Sequence, residues 1–553
     1  MQTRSFILLI NISQPDQKRP DPLSATPTPR PPLSPKSTIM EQYCSSSSAL
    51  FLLVVIILLK ETNCYSRRQL KLYEFQSKLQ EKKSLLTFSS SMISAAPFPS
   101  PEPYYSRKSD GRTFYPIGYG ADPSGAEDST DAIMEAFNEA FRVKIDDEQL
   151  LQGISDLGGV TVDLQGGSFK ISTPIRFPPG IGNILVHRGT LRASNTFPGD
   201  RHLIELWSPN SQKLHKQKPH DNLFDAKYEN NAIYYEDITF RDILFDSSYK
   251  GGGLFVTDSA RIRINNCFFL HFFTQGILVE RGHETFISGC FLGQHPTIGG
   301  DRGEKDFSGT AIELASTDNA VTDVAIFSAE IGIIIRGRAN IITGVHCYNK
   351  ATSFGGIGIL VKSAQTRIEN CYIDYNTIVL EDPNQVVISN GYFLGDGNIV
   401  LRSINGGISG VNIVNNIFCG DASKMVPIVK LDGEFVEIDQ VLIENNIVNG
   451  MRLKSTVAKL TVAGNGTKWE ADFSSVLVFP GKINHVFYSF YRRIVGSSVN
   501  NNTSNINLVG FGGHFVSNVS NNVVVVESEE AFDGVLSVFV DQYSIGGEKN
   551  LFM

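Results

Sequence analysis

The sequence predicts an all-β protein: a right-handed parallel β-helix with an N-terminal capping helix and a small C-terminal antiparallel β element. Three observations lead there. From residue 159 onward, short runs rich in Val, Ile and Phe alternate with Gly and Asn turns, as in Gly159-Val-Thr-Val-Asp-Leu164, Phe169-Lys-Ile-Ser172 and Asn183-Ile-Leu-Val186. One phrase then recurs: Arg263-Ile-Asn-Asn-Cys-Phe-Phe269, Thr285-Phe-Ile-Ser-Gly-Cys-Phe-Leu292, Arg367-Ile-Glu-Asn-Cys-Tyr-Ile373, Val387-Ile-Ser-Asn-Gly-Tyr-Phe393, Asn412-Ile-Val-Asn-Asn-Ile-Phe418 and Leu442-Ile-Glu-Asn-Asn-Ile-Val448. Its spacing is that of a single coil, 23 residues from Cys267 to Cys290, 24 from Cys347 to Cys371 and 20 from Asn370 to Asn390. A repeat of this length cannot bury its apolar face alone; stacked coils can, with equivalent residues about 4.8 Å apart. Asn at one recurring phase suits a left-handed turn residue that hydrogen-bonds along the stack.

Taken in order, residues 1–39 are Pro-rich and aperiodic and cannot build a core. The run Ala49 to Leu59 is too short for a membrane span and has the form of a signal-peptide apolar region, so residues 40–64 are expected to be a signal peptide starting at Met40, with 1–39 an extension of the gene model. Residues 65–110 form a linker or pro-segment. In 128–141, Asp128 is the expected N-cap, Asp131 an acid in the first turn, and Ile133, Phe137 and Phe141 share one face of a helix that covers the open end of the solenoid. The β-helix is expected over 111–455. Beyond it, in 456–553, alternating runs at Ser475–Phe479, His485–Ser489, Asn522–Glu527 and Gly534–Val540 predict the antiparallel element.

A net charge of −8 and a pI near 5.8 argue against nucleic acid as partner. Five cysteines follow the signal region, at 267, 290, 347, 371 and 419, with no CxxC pair; they are expected as mostly buried, unpaired thiols, the recurring ones in inner ladders, and no metal is expected. Sequons at Asn465, Asn501, Asn502 and Asn518 fit a glycosylated, secreted, monomeric protein with no membrane attachment after signal cleavage.

The phrase Tyr119-Gly-Ala-Asp-Pro-Ser-Gly-Ala-Glu-Asp-Ser-Thr-Asp-Ala132 resembles the opening motif of the pectate-lyase-like superfamily. Gly158-Gly-Val-Thr-Val-Asp-Leu-Gln-Gly-Gly167, Gly189-Thr-Leu-Arg-Ala-Ser194, Gly293-Gln-His295, Gly299-Gly-Asp-Arg-Gly-Glu304, Asp318-Asn-Ala-Val-Thr-Asp323 and Gly344-Val-His-Cys-Tyr-Asn-Lys-Ala351 narrow it to the plant QUARTET-type polygalacturonases, from residue 110 onward. The resemblance implies hydrolysis of the α-1,4-linked galacturonan of pectin in the extracellular cell wall, without a cofactor, with homogalacturonan as partner and a developmental role such as pollen tetrad separation. The Asn-Thr-Asp, Asp-Asp, Gly-His-Gly and Arg-Ile-Lys motifs of ordinary polygalacturonases are not intact; Ser316-Thr-Asp-Asn319 and Gly344-Val-His346 are the nearest phrases, so the resemblance supplies a reaction class without the catalytic residues.

The residues themselves supply candidates. An inverting glycosidase needs an acid and a base roughly 6.5–9.5 Å apart, which two carboxylates at one phase in nearby coils provide. Asp374 and Asp396 follow the repeat phrase in successive coils and lead into Thr377-Ile-Val-Leu380 and Asn398-Ile-Val-Leu401, making them the expected pair. Asp301, on a Gly-rich loop, is a possible third carboxylate; Glu304 and His295 are expected sugar contacts, and Arg302, Lys350 and Arg336 the cations for uronate groups. Asp318 and Asp323 read as structural, His346 as a packed residue, and Glu330 as an acid of suitable phase without further support. Three alternatives stay open: a Ca²⁺-dependent pectate lyase, another β-helix glycoside hydrolase, and a non-catalytic wall-binding protein.

Overall fold

The computed structural model describes residues 107–143, 149–208, 232–294, 308–348, 356–492 and 513–544. Thirty strands between Ser109 and Asn449 join one continuous and almost wholly parallel sheet, wound into a right-handed β-helix, as the repeat predicts. Each coil offers three strands, so the sheet has three faces. The first face is made of three-residue strands: Phe268–Leu270, Phe291–Gly293, Ala325–Phe327, His346–Tyr348, Tyr372–Asp374, Tyr392–Leu394, Ile417–Cys419 and Ile447–Asn449. The second carries strands such as Gln275–Ser288 in its first half, Ser308–Thr317, Ala329–Ile335 and Thr377–Glu381, and the third strands such as Thr366–Glu369 and Asn384–Ser389.

Register explains the core. Ile277, Ile312, Ile333, Ile359, Ile378 and Ile399 lie on top of one another through successive coils, all fully buried. The middle residue of the first face also points inward, and here rings stack: Phe245 on Phe269 at 4.6 Å between centroids, Phe393 on Phe418 at 4.3 Å. The flanking residues of each three-residue strand point outward, since side chains alternate along a strand.

The recurring Asn phase is a turn. Between the third face and the first, eight successive coils use the same two-residue connection, and its first residue has positive φ each time: Asn266, Gly289, Asp323, Gly344, Asn370, Asn390, Asn415 and Asn445. Asn and Gly tolerate this left-handed conformation best. The amides also bridge coils, Asn445 to Asn415 at 2.5 Å and Asn266 to Asp242 at 2.7 Å. Asp323 is one of these turn residues, and Asp318 is an exposed left-handed turn residue at another corner. The turn's second residue points inward, where Cys267, Cys290 and Cys371 occupy the same phase as free, buried thiols.

The capping helix α1 runs Thr130–Ala140 and buries Ile133, Ala136 and Phe137. Its N-cap position is Ser129 rather than Asp128; Asp128 instead accepts from the Thr130 amide at 2.9 Å, while the Ser129 hydroxyl is taken by the Asp122 amide. Phe137 packs edge-on to Phe177, closing the apolar end of the coil stack. At the other end, Val457–Asp472, His485–Arg492, His514–Ser520 and Val523–Asp541 form an antiparallel four-stranded sheet. Two details differ from the sequence expectation. Ser475–Phe479 is a turn rather than a strand, its Leu477 and Phe479 buried as plugs, and the two runs in 522–540 are one long strand. Alternation alone does not separate a buried turn from a strand.

Candidate active site

The corner that leads from the first face to the second gathers the polar chemistry. Asp374 ends the strand Tyr372–Asp374 and stands in register with Tyr348 of the preceding coil and Leu394 of the next. His346 is the outward first residue of that preceding strand, and its Nε2 lies 2.7 Å from Asp374 Oδ2. His346 is therefore a partly exposed outer residue bonded to a carboxylate, not a packed core residue. Asp374 is 9% exposed, and its second oxygen, Oδ1, is buried with no hydrogen-bond partner among the described residues. A buried acceptor of this kind costs free energy unless a ligand or water supplies the donor.

The surroundings are aromatic. Tyr372 and Tyr392 stand one coil apart with rings parallel at 5.0 Å, so each covers the other's face and leaves edges and hydroxyls to the outside. Phe327 and Tyr348 lie in contact on the other side, at 5.1 Å between centroids.

Asp396 lies in the next corner turn with φ 67°. Its Oδ1 accepts the Asp421 amide at 2.7 Å and its Oδ2 the Lys424 ammonium at 2.9 Å. Gly420 makes room for it, since a Cβ there would sit 2.3 Å from Asp396 Oδ1. Asp396 and Asp421 together hold the Lys424 ammonium above the ordinary lysine value. Asp374 thus reaches back one coil, to His346, while Asp396 reaches forward one coil. The structure places both acids at the same corner and turns their carboxylates in opposite directions.

His295, Asp301, Arg302, Glu304 and Lys350 lie outside the described residues. Arg336 is committed to Glu313 at 2.8 Å, and Glu330 is exposed at the same corner. Of the sequons, Asn465 and Asn518 are exposed on strands of the C-terminal sheet, with Asn518 Nδ2 donating to the Ser520 hydroxyl at 3.1 Å; Asn501 and Asn502 lie outside the described residues. No group of residues suited to a metal ion occurs among the described residues, and none of their helices is long and apolar enough to cross a membrane.

Two clusters were not found from the sequence. On the outer side of the second face, Glu280 stands opposite Ala315 of the next coil, and Glu313 opposite Leu278. The two glutamates are diagonal neighbours, their Cα atoms about 8 Å apart from strand and coil spacings. Burial, helped by the charges of Glu313 and Asp258 and opposed by Arg281, pushes the Glu280 carboxyl up to about 7, while Arg336 and Gln275 hold Glu313 by hydrogen bonds of 2.8 and 3.0 Å. A carboxyl protonated near neutrality beside one paired with a cation can divide acid and base roles. The pH consequence has a definite sign. Below about pH 4.5 Glu280 is protonated folded and unfolded; between about 4.5 and 7 the unfolded chain ionises first, so stability falls, by at most about 3 kcal/mol. Glu280→Gln is expected to melt with the wild type at pH 4 and above it at pH 8, read by scanning calorimetry. The second cluster, around Asp246 and His271, lies at the N-terminal part of the same corner.

Over 439 residues the chain is 49% identical to Polygalacturonase QRT3 of Arabidopsis thaliana, an alignment spanning 78% of this chain and 84% of that one. The chain belongs to the QRT3-type polygalacturonases. The sequence resemblance to this family is thereby confirmed, and the protein is a polygalacturonase-type glycoside hydrolase. No family model matches the chain. Among solved structures, ORF18 of Geobacillus virus E2 matches at 10% identity and TM-score 0.43, over 76% of this polygalacturonase-type chain and 78% of that one. The A-module of the Azotobacter vinelandii mannuronan C-5 epimerase AlgE4 matches at 10% identity and TM-score 0.37, over 61% and 96%. At these scores neither carries an argument, and the fold of this QRT3-type chain rests on its own strand register.

Proposed function

We propose that the protein is secreted to the plant cell wall and hydrolyses the α-1,4-linked galacturonan of de-esterified pectin, with Asp374 at the reacting centre. Family membership carries the reaction class, and the unpartnered oxygen of Asp374 carries the site. A buried oxygen held in place by its neighbour's bond to His346, and without a hydrogen-bond partner among the described residues, is suited to exchange a proton with a water or a glycosidic oxygen that reaches it. Asp396 is the second carboxylate of this reading, with Asp301 as a third and Glu304, His295, Arg302 and Lys350 as its sugar and uronate contacts. The sequons at Asn465, Asn501, Asn502 and Asn518 support passage through the secretory route.

One observation favours a second reading of the acid and base. Burial pushes the Glu280 carboxyl up to about 7 while the neighbouring Glu313 is paired with Arg336, a division suited to acid and base roles. In this reading the reaction runs on the second face.

The test is incubation of the purified protein with de-esterified homogalacturonan, with and without a chelator, following new reducing ends and unsaturated products separately. Reducing ends without unsaturation, indifferent to chelator, are expected. Unsaturated products lost in chelator would make the protein a lyase, and no product of either kind would leave a wall-binding protein.

A further inference from the structure

The corner that holds Asp374 has a second built region near its N-terminal end. Asp246 accepts from His271, with Nδ1 2.9 Å from Oδ1, and from Arg192 Nε at 3.0 Å. The ring of Tyr249 lies over His271 at 4.9 Å between centroids, and its hydroxyl donates to Gln294 Oε1 at 3.1 Å. Backbone bonds knit the two turns together: the Tyr249 amide donates to His271 O and the Phe273 amide to Gly251 O, each at 2.7 Å. His271 Nε2 is buried with no hydrogen-bond partner among the described residues.

This scaffold holds an unusual surface. Phe273 is 70% exposed and Tyr249 46%, although the adjacent Phe272 is fully buried in the core. Lys250, next to Tyr249, is exposed and has no side-chain partner among the described residues. Two open rings and an uncommitted ammonium on one fixed corner match the needs of an acidic sugar, whose ring has an apolar face and whose carboxylate needs a cation. Register sets the distance to the reacting centre: from Leu270 through Gly293, Phe327 and Tyr348 to Asp374 is four coils, about 19 Å.

We infer that Tyr249, Lys250 and Phe273 form a remote subsite for a uronate unit of the polymer, four coils from Asp374. The inference rests on the galacturonan reading above and deepens it. Phe273 and Tyr249 take the sugar's apolar face, Lys250 takes its carboxylate, and the His271–Asp246 pair fixes Tyr249 from beneath. A chain long enough to reach both places is held at two points, which raises its affinity over that of a short oligomer.

The experiment is affinity electrophoresis of the full protein through gels containing de-esterified or fully methyl-esterified galacturonan, with hydrolysis of the de-esterified polymer assayed in parallel. Lys250→Gln is expected to weaken binding to the de-esterified polymer about tenfold and to narrow the preference for it over the esterified one. Phe273→Ala is expected to weaken binding to both. Lys459→Gln, an exposed change on the C-terminal sheet, controls for general charge, and circular dichroism checks that each variant is folded. A wild type that binds and hydrolyses while Lys250→Gln and Phe273→Ala bind as it does would overturn the subsite. A wild type that binds through these residues but never hydrolyses would sink the enzymatic reading and keep the subsite; a wild type that does not bind either polymer would overturn both.

Discussion

Asp374→Asn is expected to lower kcat on de-esterified homogalacturonan by a hundredfold or more, with the melting temperature close to that of the wild type. Asparagine has the same shape and can still meet His346, whose Nε2 lies 2.7 Å from the present carboxylate, so the corner keeps its packing. What it loses is the ability to exchange a proton from the oxygen that has no partner among the described residues. A positioned acid or base contributes about 10² to 10⁴ in rate, which sets the size of the effect. Reducing-end assays under saturating substrate measure it. Glu280→Gln is the companion variant. If Asp374→Asn keeps activity within about threefold while Glu280→Gln loses a hundredfold, the acid and base are Glu280 and Glu313, and Asp374 serves only to hold His346.

Phe393→Ala is expected to cost about 3–5 kcal/mol, read as a lowered midpoint in urea. Phe393 is 1% exposed, lies face to face on Phe418 at 4.3 Å, and follows Ile373 in the same inward ladder. Parallel hydrogen bonds to the coils before and after fix its backbone, so the stack cannot collapse into the space that the ring leaves. The neighbouring outward residue gives the contrast. Tyr392 is 40% exposed and stacks on Tyr372, and Tyr392→Ala is expected to cost about 1 kcal/mol. Because each coil touches only its neighbours, the damage in Phe393→Ala should show as early amide exchange in the coils around 372–419 while the N-terminal coils keep their protection.

The fold was legible because its determinants repeat. An apolar residue at each inward phase, and Asn or Gly at each left-handed turn, leave the same mark in coil after coil, and six copies of one phrase suffice to read it. The C-terminal sheet was less legible, since each of its strands occurs once and Leu477 and Phe479 are buried in a turn that alternates like a strand. The sequence reading put Asp374 and Asp396 at one corner in successive coils, as the structure has them, but could not give the direction of either side chain. That direction is decided by residues of other coils: His346 draws one back, and the space beside Gly420 with the Asp421 amide draws the other forward. Glu280 left no signal, because its shifted protonation arises from burial against neighbouring coils, helped by Glu313 and Asp258. The Tyr249–Lys250–Phe273 corner was passed over for a different reason: Phe272 and Phe273 read alike, and only the structure shows that one is inside and the other outside.

The two-residue turn between the third face and the first bears on how such a chain can change over evolutionary time. Its length is the same in eight consecutive coils, and lengthening any one copy would throw every later strand out of step with the ladder beneath it. The opposite corner has no such constancy. Between the first face and the second, beside Asp374, the crossing is residue 328 alone in one coil, 375–376 in another, 395–397 in a third and 420–428 in a fourth. The corner between the second face and the third varies as well, from 318–319 in one coil to 336–340 in the next, so insertions and deletions settle at these two corners while the Asn turn that registers the coils stays untouched. Descendants of one scaffold can acquire new binding segments beside Asp374, and their alignments should show gaps at the two variable corners and almost none at the Asn turn.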